Sequence, residues 1–98
     1  MDDRFTFAGT ALEWRGPAPY LFVPMPIEDS EDLKEAARGL EYWGQVRVEA
    51  TIGATTFVTA LFPKDGRYLL PVRAAVQRAE GVAVGVHVEV SLQLLPRR

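Results

Sequence analysis

Alternation of apolar and polar residues divides the chain into short elements separated by glycine and proline. The alternation is clearest in segments 46–52 and 86–94, where valine and other aliphatic residues occupy every second position. Further strands are predicted at 4–14, 20–23, 55–62 and 68–70. Within the first of these, the apolar residues change phase at Gly9, which predicts a bulge or bend at that glycine.

Two short helices are predicted between the strands. Asp29 or Ser30 can cap the first, whose apolar stripe comprises Leu33, Ala36, Ala37 and Leu40. The second runs from about Val72 to Ala79 and ends at Gly81. The chain is therefore predicted to be mainly β, with two short helices.

The two halves of the chain carry the same order of elements. Segments 4–52 and 55–95 each read ββαβ, and in each half a Tyr-Leu strand leads through proline to a helix. The strand after each helix contains a Val-basic-Val-Glu sequence, at 46–49 and at 86–89. We predict one domain over residues 1–98, a small pseudo-barrel in which two ββαβ halves interleave, hide most strand edges and are capped by the helices.

Several segments together resemble a known family. They are a Phe-x-Phe strand at 5–7, YLFVPMP at 20–26 before an acidic helix, GQVRV at 44–48, TTFVTALFPKDGRYLLPV at 55–72 and RAEGVAVG at 78–85. In this order they resemble the small bacterial family known as domain of unknown function nineteen-oh-five. The resemblance extends from Phe5 to Leu94 and is most specific over 62–85.

The resemblance implies a fold and leaves the function open. The family's fold is similar to the double-split β-barrel of the AbrB and MazE regulators and antitoxins, which build that barrel from two chains. Here one chain would supply both halves, in agreement with the duplicated pattern.

Composition excludes several classes of site. The chain has no cysteine, which excludes disulfides, thiol nucleophiles and thiolate zinc sites, and a single histidine, His87, excludes a multi-histidine metal site within one chain. The net charge of −2 disfavours nucleic acid and anionic membrane as partners. No apolar run reaches the roughly 20 residues that cross a bilayer. We expect a cytoplasmic protein with no cofactor, no metal and no membrane contact.

Candidate catalytic groups each have a simpler structural interpretation. His87 and Glu89 share the outward face of the last strand, where a solvent-exposed pair is the more common arrangement. The acidic cluster over 28–35 suits the start of a helix. Ser30 is interpreted as a cap and Ser91 as a strand surface residue. No catalytic residue is predicted.

Aromatic residues near strand ends are the candidate binding site. If Trp14, Tyr20, Tyr42 and Trp43 gather at one end of the barrel, they could line a ligand cleft or a contact with another subunit, although ordinary barrel-end core is the simpler interpretation. Arg47 is added as an anion-binding candidate, and Arg67 and Arg73 could extend its patch or simply be solvated.

Three functions are consistent with these residues. The first is a non-catalytic module that binds a protein or small ligand, as a monomer or weak homodimer. The alternative is a DNA-binding regulator, by analogy with the AbrB-like fold, and the second alternative is a small carboxylate-dependent enzyme.

Overall fold

A computed structural model of the chain describes residues 4–15, 20–41 and 44–96. Seven strands and two helices follow one another along these residues. They are β1 (Arg4–Thr10), β2 (Leu12–Trp14), β3 (Tyr20–Pro24), α1 (Ile27–Ala36), β4 (Val46–Ile52), β5 (Thr55–Lys64), β6 (Arg67–Val72), α2 (Ala74–Glu80) and β7 (His87–Leu94).

The strands form one curled antiparallel sheet in the order β1-β7-β4-β5-β6-β3-β2. The two strands at opposite ends of this order, β1 and β2, are consecutive in the chain. The sheet therefore curls into a half-barrel, with β5 at its centre. The predicted mainly β architecture with two short helices is confirmed.

The chain bends at Ala11, between β1 and β2. Ala11 is fully buried, its N–H donates to the carbonyl of Val86, and its carbonyl accepts from the N–H of Gly85. Gly9 itself lies inside β1 and pairs with Val88. The predicted bend at Gly9 was thus placed two residues too early. The apolar residues change phase at Ala11, where the chain stops pairing with β7 and begins to pair with β3.

The inner face of the sheet holds the core. The aliphatic rows of β4 and β7 pair directly, with Val48 opposite Leu94 and Ala50 opposite Leu92. The largest fully buried side chains are Val23, Met25, Leu33, Val46, Val48, Leu61, Leu70, Val90 and Leu92. Val86, predicted to point inward with this row, is 38% exposed, because β7 begins at His87.

The first helix begins earlier than predicted. Pro26 occupies the N-cap position, and Ser30 lies inside α1, where it is buried. The Ser30 hydroxyl accepts a hydrogen bond from the N–H of Tyr68 (3.0 Å) and donates to the carbonyl of Met25 (3.4 Å). The prediction that Ser30 is a cap is therefore wrong: this serine joins α1 to β6.

The second helix is shorter at its start than predicted. Val72 belongs to β6, where it pairs with Leu21, and α2 ends as expected at Gly81 in a left-handed conformation. The carboxylate of Glu80 accepts from the Ala54 N–H and the Thr55 hydroxyl, which fixes α2 to the β4–β5 turn. Within the described residues, neither helix has the length and apolarity needed to cross a membrane.

Candidate functional site: an aromatic surface on the outside of the sheet

Four aromatic side chains lie together on the outer, convex side of the sheet. The rings of Trp14 and Tyr20 stack with their centroids 6.3 Å apart and their planes 16° apart. Tyr20 also contacts Phe22 (6.0 Å) and meets Phe62 edge to face (5.9 Å). We call Trp14, Tyr20, Phe22 and Phe62 the aromatic face.

Strand register explains why these residues meet. Trp14 pairs with Tyr20 across β2 and β3, and Phe22 lies two residues beyond Tyr20, so all three share one side of the sheet. On the neighbouring strands, Phe22 pairs with Pro71, and Leu69 pairs with Phe62. The aromatic face thus has residues on β2, β3 and β5, and β6 lies between β3 and β5 with Leu69 and Pro71.

This face buries side chains without contributing to the main core. Phe22 is 8% exposed and Leu69 is 4% exposed, yet neither belongs to the cluster of buried residues on the inner side. They are covered on the outside of the sheet, in contact with half-buried Tyr20 and Phe62. Trp14 and Leu12, at the β2 end, are 36% and 44% exposed. The face therefore has a well-packed centre and an apolar margin open to solvent.

One cation lies against the aromatic face. The Lys64 ammonium is 4.8 Å from the centroid of the Trp14 ring, a cation–π geometry that positions both side chains. Burial raises the pKa of the Tyr20 hydroxyl above its ordinary value, and the hydroxyl is neutral at physiological pH as tyrosine hydroxyls ordinarily are. The surface therefore offers ring faces, a neutral hydroxyl and a positive charge.

The structure places the five predicted binding residues in different ways. Trp14 and Tyr20 are together, but on the outer face of the sheet and not at a barrel end. Arg47 lies at the flank of the same face, opposite Ala60, which is two residues from Phe62 on β5. Tyr42 and Trp43 lie outside the described residues.

Sequence reasoning missed Phe22, Phe62 and Lys64. A usable signal was present in β5, which carries apolar residues in both phases of its alternation: Phe57 and Leu61 point to the core, whereas Ala60 and Phe62 are only half-buried. An apolar second face on a central strand indicates either another layer of structure or an exposed apolar surface. Here the second face contributes to the aromatic face.

The three arginines considered for an anion patch have separate surroundings. Arg47 donates to the carbonyl of Pro96, and Arg73 donates to the carbonyl of Val58 while its guanidinium lies near the Phe57 ring. Arg67 lies beside a cavity next to α1. His87 and Glu89 are both exposed on β7. Among the described residues, no group of three or more acidic or histidine side chains is arranged to hold a metal ion.

Comparison with known proteins identifies the family. The family model described as "Domain of unknown function (DUF1905)" matches residues 7–92. The chain belongs to this family. The matched segment includes all four residues of the aromatic face, so the surface lies within the DUF1905 domain and not in an addition to it. Among curated proteins, none matches the chain significantly.

Proposed function

We propose that this DUF1905 chain is a non-catalytic binding module that recognises a partner protein through the aromatic face. The observation that carries this proposal is the exposed Trp14, stacked on Tyr20 and positioned by Lys64 on the outside of the sheet. Aromatic anchors at the centre of an interface supply a large share of the binding free energy in protein complexes. Trp14 and the neighbouring Leu12 are both exposed and could be covered by a partner.

The shape of the surface favours a protein over a small molecule. Small ligands bind in concave pockets that cover most of their surface. The aromatic face lies on the convex side of a curled sheet, so a small molecule on it would stay largely in water. A partner protein can instead cover Leu12, Trp14 and the edge of Tyr20 at once.

Charge indicates which kind of partner segment fits. Lys64 lies over Trp14, and the exposed Arg15 directly follows Trp14 in the chain. The cationic Arg47 lies at the far flank of the face. We therefore infer a partner segment that carries apolar side chains next to carboxylates, with an acidic group facing Lys64.

A peptide selection tests this proposal. The chain is immobilised and screened against a random peptide library, and enriched peptides are measured by isothermal titration against native chain and variants. We expect apolar peptides containing Asp or Glu, whose affinity falls by about tenfold or more in Trp14→Ala, the loss typical of an interface anchor. Lys64→Gln should weaken the acidic peptides selectively.

A matched control separates surface loss from unfolding. Thr6→Ala changes an exposed residue on the outer side of β1 and should leave both affinity and thermal midpoint unchanged. Trp14 is outside the core cluster, so Trp14→Ala should retain a cooperative thermal transition. Peptides that bind Trp14→Ala as tightly as native chain, or a library that yields no enriched peptide, would refute the proposed surface.

The other two functions receive less support from the geometry. DNA binding requires cations arranged along one surface, whereas Arg47 and Arg73 donate to backbone carbonyls in different places and Arg67 lies beside α1. A carboxylate-dependent enzyme requires convergent titratable groups at a reactive site. His87 and Glu89 are exposed on a strand without a hydrogen bond between them in the described part of the chain.

We also infer that the half-barrel is a single-chain, double-split barrel of the AbrB and MazE type, with related halves at 4–52 and 55–95. Strand pairing supports this inference. If β1 with β2 is exchanged for β5, β3 for β6, and β4 for β7, the β1–β7 and β4–β5 pairings change places, the β2–β3 and β5–β6 pairings change places, and the β4–β7 and β3–β6 pairings are kept. The helices correspond as well: α1 lies between β3 and β4 in the chain, and α2 lies between β6 and β7.

A further inference from the structure

A cavity of about 650 Å³ lies between α1 and the β5–β6 hairpin, separate from the four aromatic residues described above. Its volume is within the range of small-molecule sites in proteins. The helix contributes Ser30, Glu31 and Lys34, and the hairpin contributes Arg67 and Tyr68. Glu41 lies on the side where the chain leaves α1.

The backbone around the cavity is fixed by hydrogen bonds between the helix and the hairpin. Ser30 accepts from the Tyr68 N–H, and the Met25 N–H donates to the Tyr68 carbonyl over 2.9 Å. The Ser30 hydroxyl therefore uses its one donor within the fold and cannot donate to a ligand. Because these bonds join α1 to β6, the cavity walls are held in place without a ligand.

The walls carry charges of both signs. Two carboxylates, Glu31 and Glu41, and two cations, Lys34 and Arg67, line the same space. In the described part of the chain, none of these four side chains forms an ion pair with another. Glu41 accepts one backbone hydrogen bond, from the Gly39 N–H at 3.2 Å. The four charged groups at the cavity therefore keep most of their capacity for a ligand.

Tyr68 adds a neutral polar group to this space. The residue is only 5% exposed, and burial, followed by the negative charge of Glu41, raises the pKa of its hydroxyl. Like any tyrosine hydroxyl at neutral pH, it is protonated and can donate a hydrogen bond. No described side chain accepts that hydrogen bond.

We propose that the cavity binds a small zwitterion of the free amino acid type, with its carboxylate on Arg67 and Lys34 and its ammonium on Glu31 and Glu41. A guanidinium matches a carboxylate through paired hydrogen bonds, and an ammonium is best held by carboxylates. A dianion would face the two glutamates, and a dication would face Arg67 and Lys34, so a ligand with one group of each sign suits these walls best. This site is independent of the proposed partner surface.

Matched ligands test the requirement for both charges. The standard amino acids are titrated up to about 10 mM, a limit that still detects millimolar affinity, and binding is followed by two-dimensional NMR of the labelled chain. For the best ligand, the N-acetyl derivative lacks the ammonium and the amide derivative lacks the carboxylate. We expect saturable shifts at 30–34 and 67–68 with the free amino acid, and at least about tenfold weaker binding of both derivatives.

Variants assign the binding to this cavity. Arg67→Gln should weaken the free amino acid strongly, and Glu41→Gln should reduce the preference for the free amino acid over its N-acetyl derivative. Arg78→Gln, an exposed arginine in the last turn of α2, is the matched control and should bind as native chain does. Comparison of the NMR spectra shows whether each variant is folded.

Three results would overturn the zwitterion site. They are the absence of saturable binding by any standard amino acid, equal binding of the free and blocked forms, and unchanged affinity in folded Arg67→Gln and Glu41→Gln. The partner proposal can be judged separately, because Trp14→Ala should keep amino acid binding and Glu41→Gln should keep peptide binding. Failure of one proposal is therefore distinguishable from failure of the other.

Discussion

A Cβ atom on Gly9 would lie 2.6 Å from the carbonyl oxygen of Pro24 and 3.0 Å from Val23 Cγ1. At this point β1 passes close to the end of β3, across the curl of the sheet. A carbonyl oxygen on the backbone cannot move aside as a flexible side chain can. Gly9 is therefore needed for close approach of two strands, whereas the sequence pattern suggested that it forms a bend.

Gly9→Ala should lower the free energy of unfolding by about 1–3 kcal/mol, the usual cost of forcing extra volume into a packed site. Urea denaturation monitored by circular dichroism measures the change. Thr6→Ala, on the exposed face of the same strand, should stay within about 0.5 kcal/mol of native chain. Equal stability of Gly9→Ala and native chain would show that β1 and β3 do not approach this closely.

Alternation predicted which residues point away from the core, but could not predict what they meet there. Trp14 lies beside Tyr20 only because β2 pairs with β3. Phe62 comes close to Tyr20 because β6 pairs with β3 on one side and with β5 on the other. The pairings of β2 with β3 and of β5 with β6 are local, but the pairing of β3 with β6 joins residues far apart in sequence, such as Phe22 and Pro71. The residue types of the aromatic face were therefore visible in the sequence, while their assembly on the convex side of the sheet required the topology.

Between elements, the Ser30 hydroxyl links α1 to β6. Removing a buried hydrogen-bonding partner leaves a backbone donor unsatisfied, so Ser30→Ala should lower the free energy of unfolding by about 1–3 kcal/mol. Hydrogen exchange should show faster opening of the Tyr68 amide in the variant. Ser91→Ala, a half-buried serine on β7, is the control and should change stability little. A native rate of exchange at Tyr68 would contradict this role for Ser30.

The start of α1 shows why helix boundaries were harder to predict than helices. The acidic segment from Glu28 to Ser30 offers two capping residues, and capping preference alone selected one of them. The actual start, after Pro26, places Ser30 one turn into the helix. Ser30 is buried because it bonds to Tyr68, which lies 38 positions away in the sequence. No local sequence pattern indicates such a contact. The apolar positions Leu33 and Ala37 were nevertheless correctly assigned to the core.

At the scale of the whole molecule, most strand pairings join the two halves of the chain. Among the described strands, only β2 with β3 and β5 with β6 pair within one half, whereas β1–β7, β3–β6, β4–β5 and β4–β7 cross between halves. A lone two-stranded hairpin is marginally stable in water. The order of strands and helices could largely be predicted from the sequence because it is local, whereas the pairings between the halves could not.

Circular permutation tests this architecture. Arg4 pairs with Gln93, so the ends of β1 and β7 are neighbours and can be joined by a short flexible linker. New ends between Gly53 and Ala54 lie in an exposed turn and leave all strand pairings intact, so this permutant should unfold cooperatively like native chain. Because all strand pairings are kept, its thermal midpoint should fall only modestly.

A second permutant supplies the contrast, with ends between Val58 and Thr59 in the middle of β5. That opening interrupts the ladder in which Val58 faces Glu49 and Thr59 faces Val48, at the centre of the sheet. It should abolish the cooperative transition measured by thermal denaturation. In the interleaved arrangement, an unbroken β5 and the β1–β7 pairing hold the two halves together. That arrangement would be wrong if the 53/54 permutant failed to fold, or if the 58/59 permutant folded equally well.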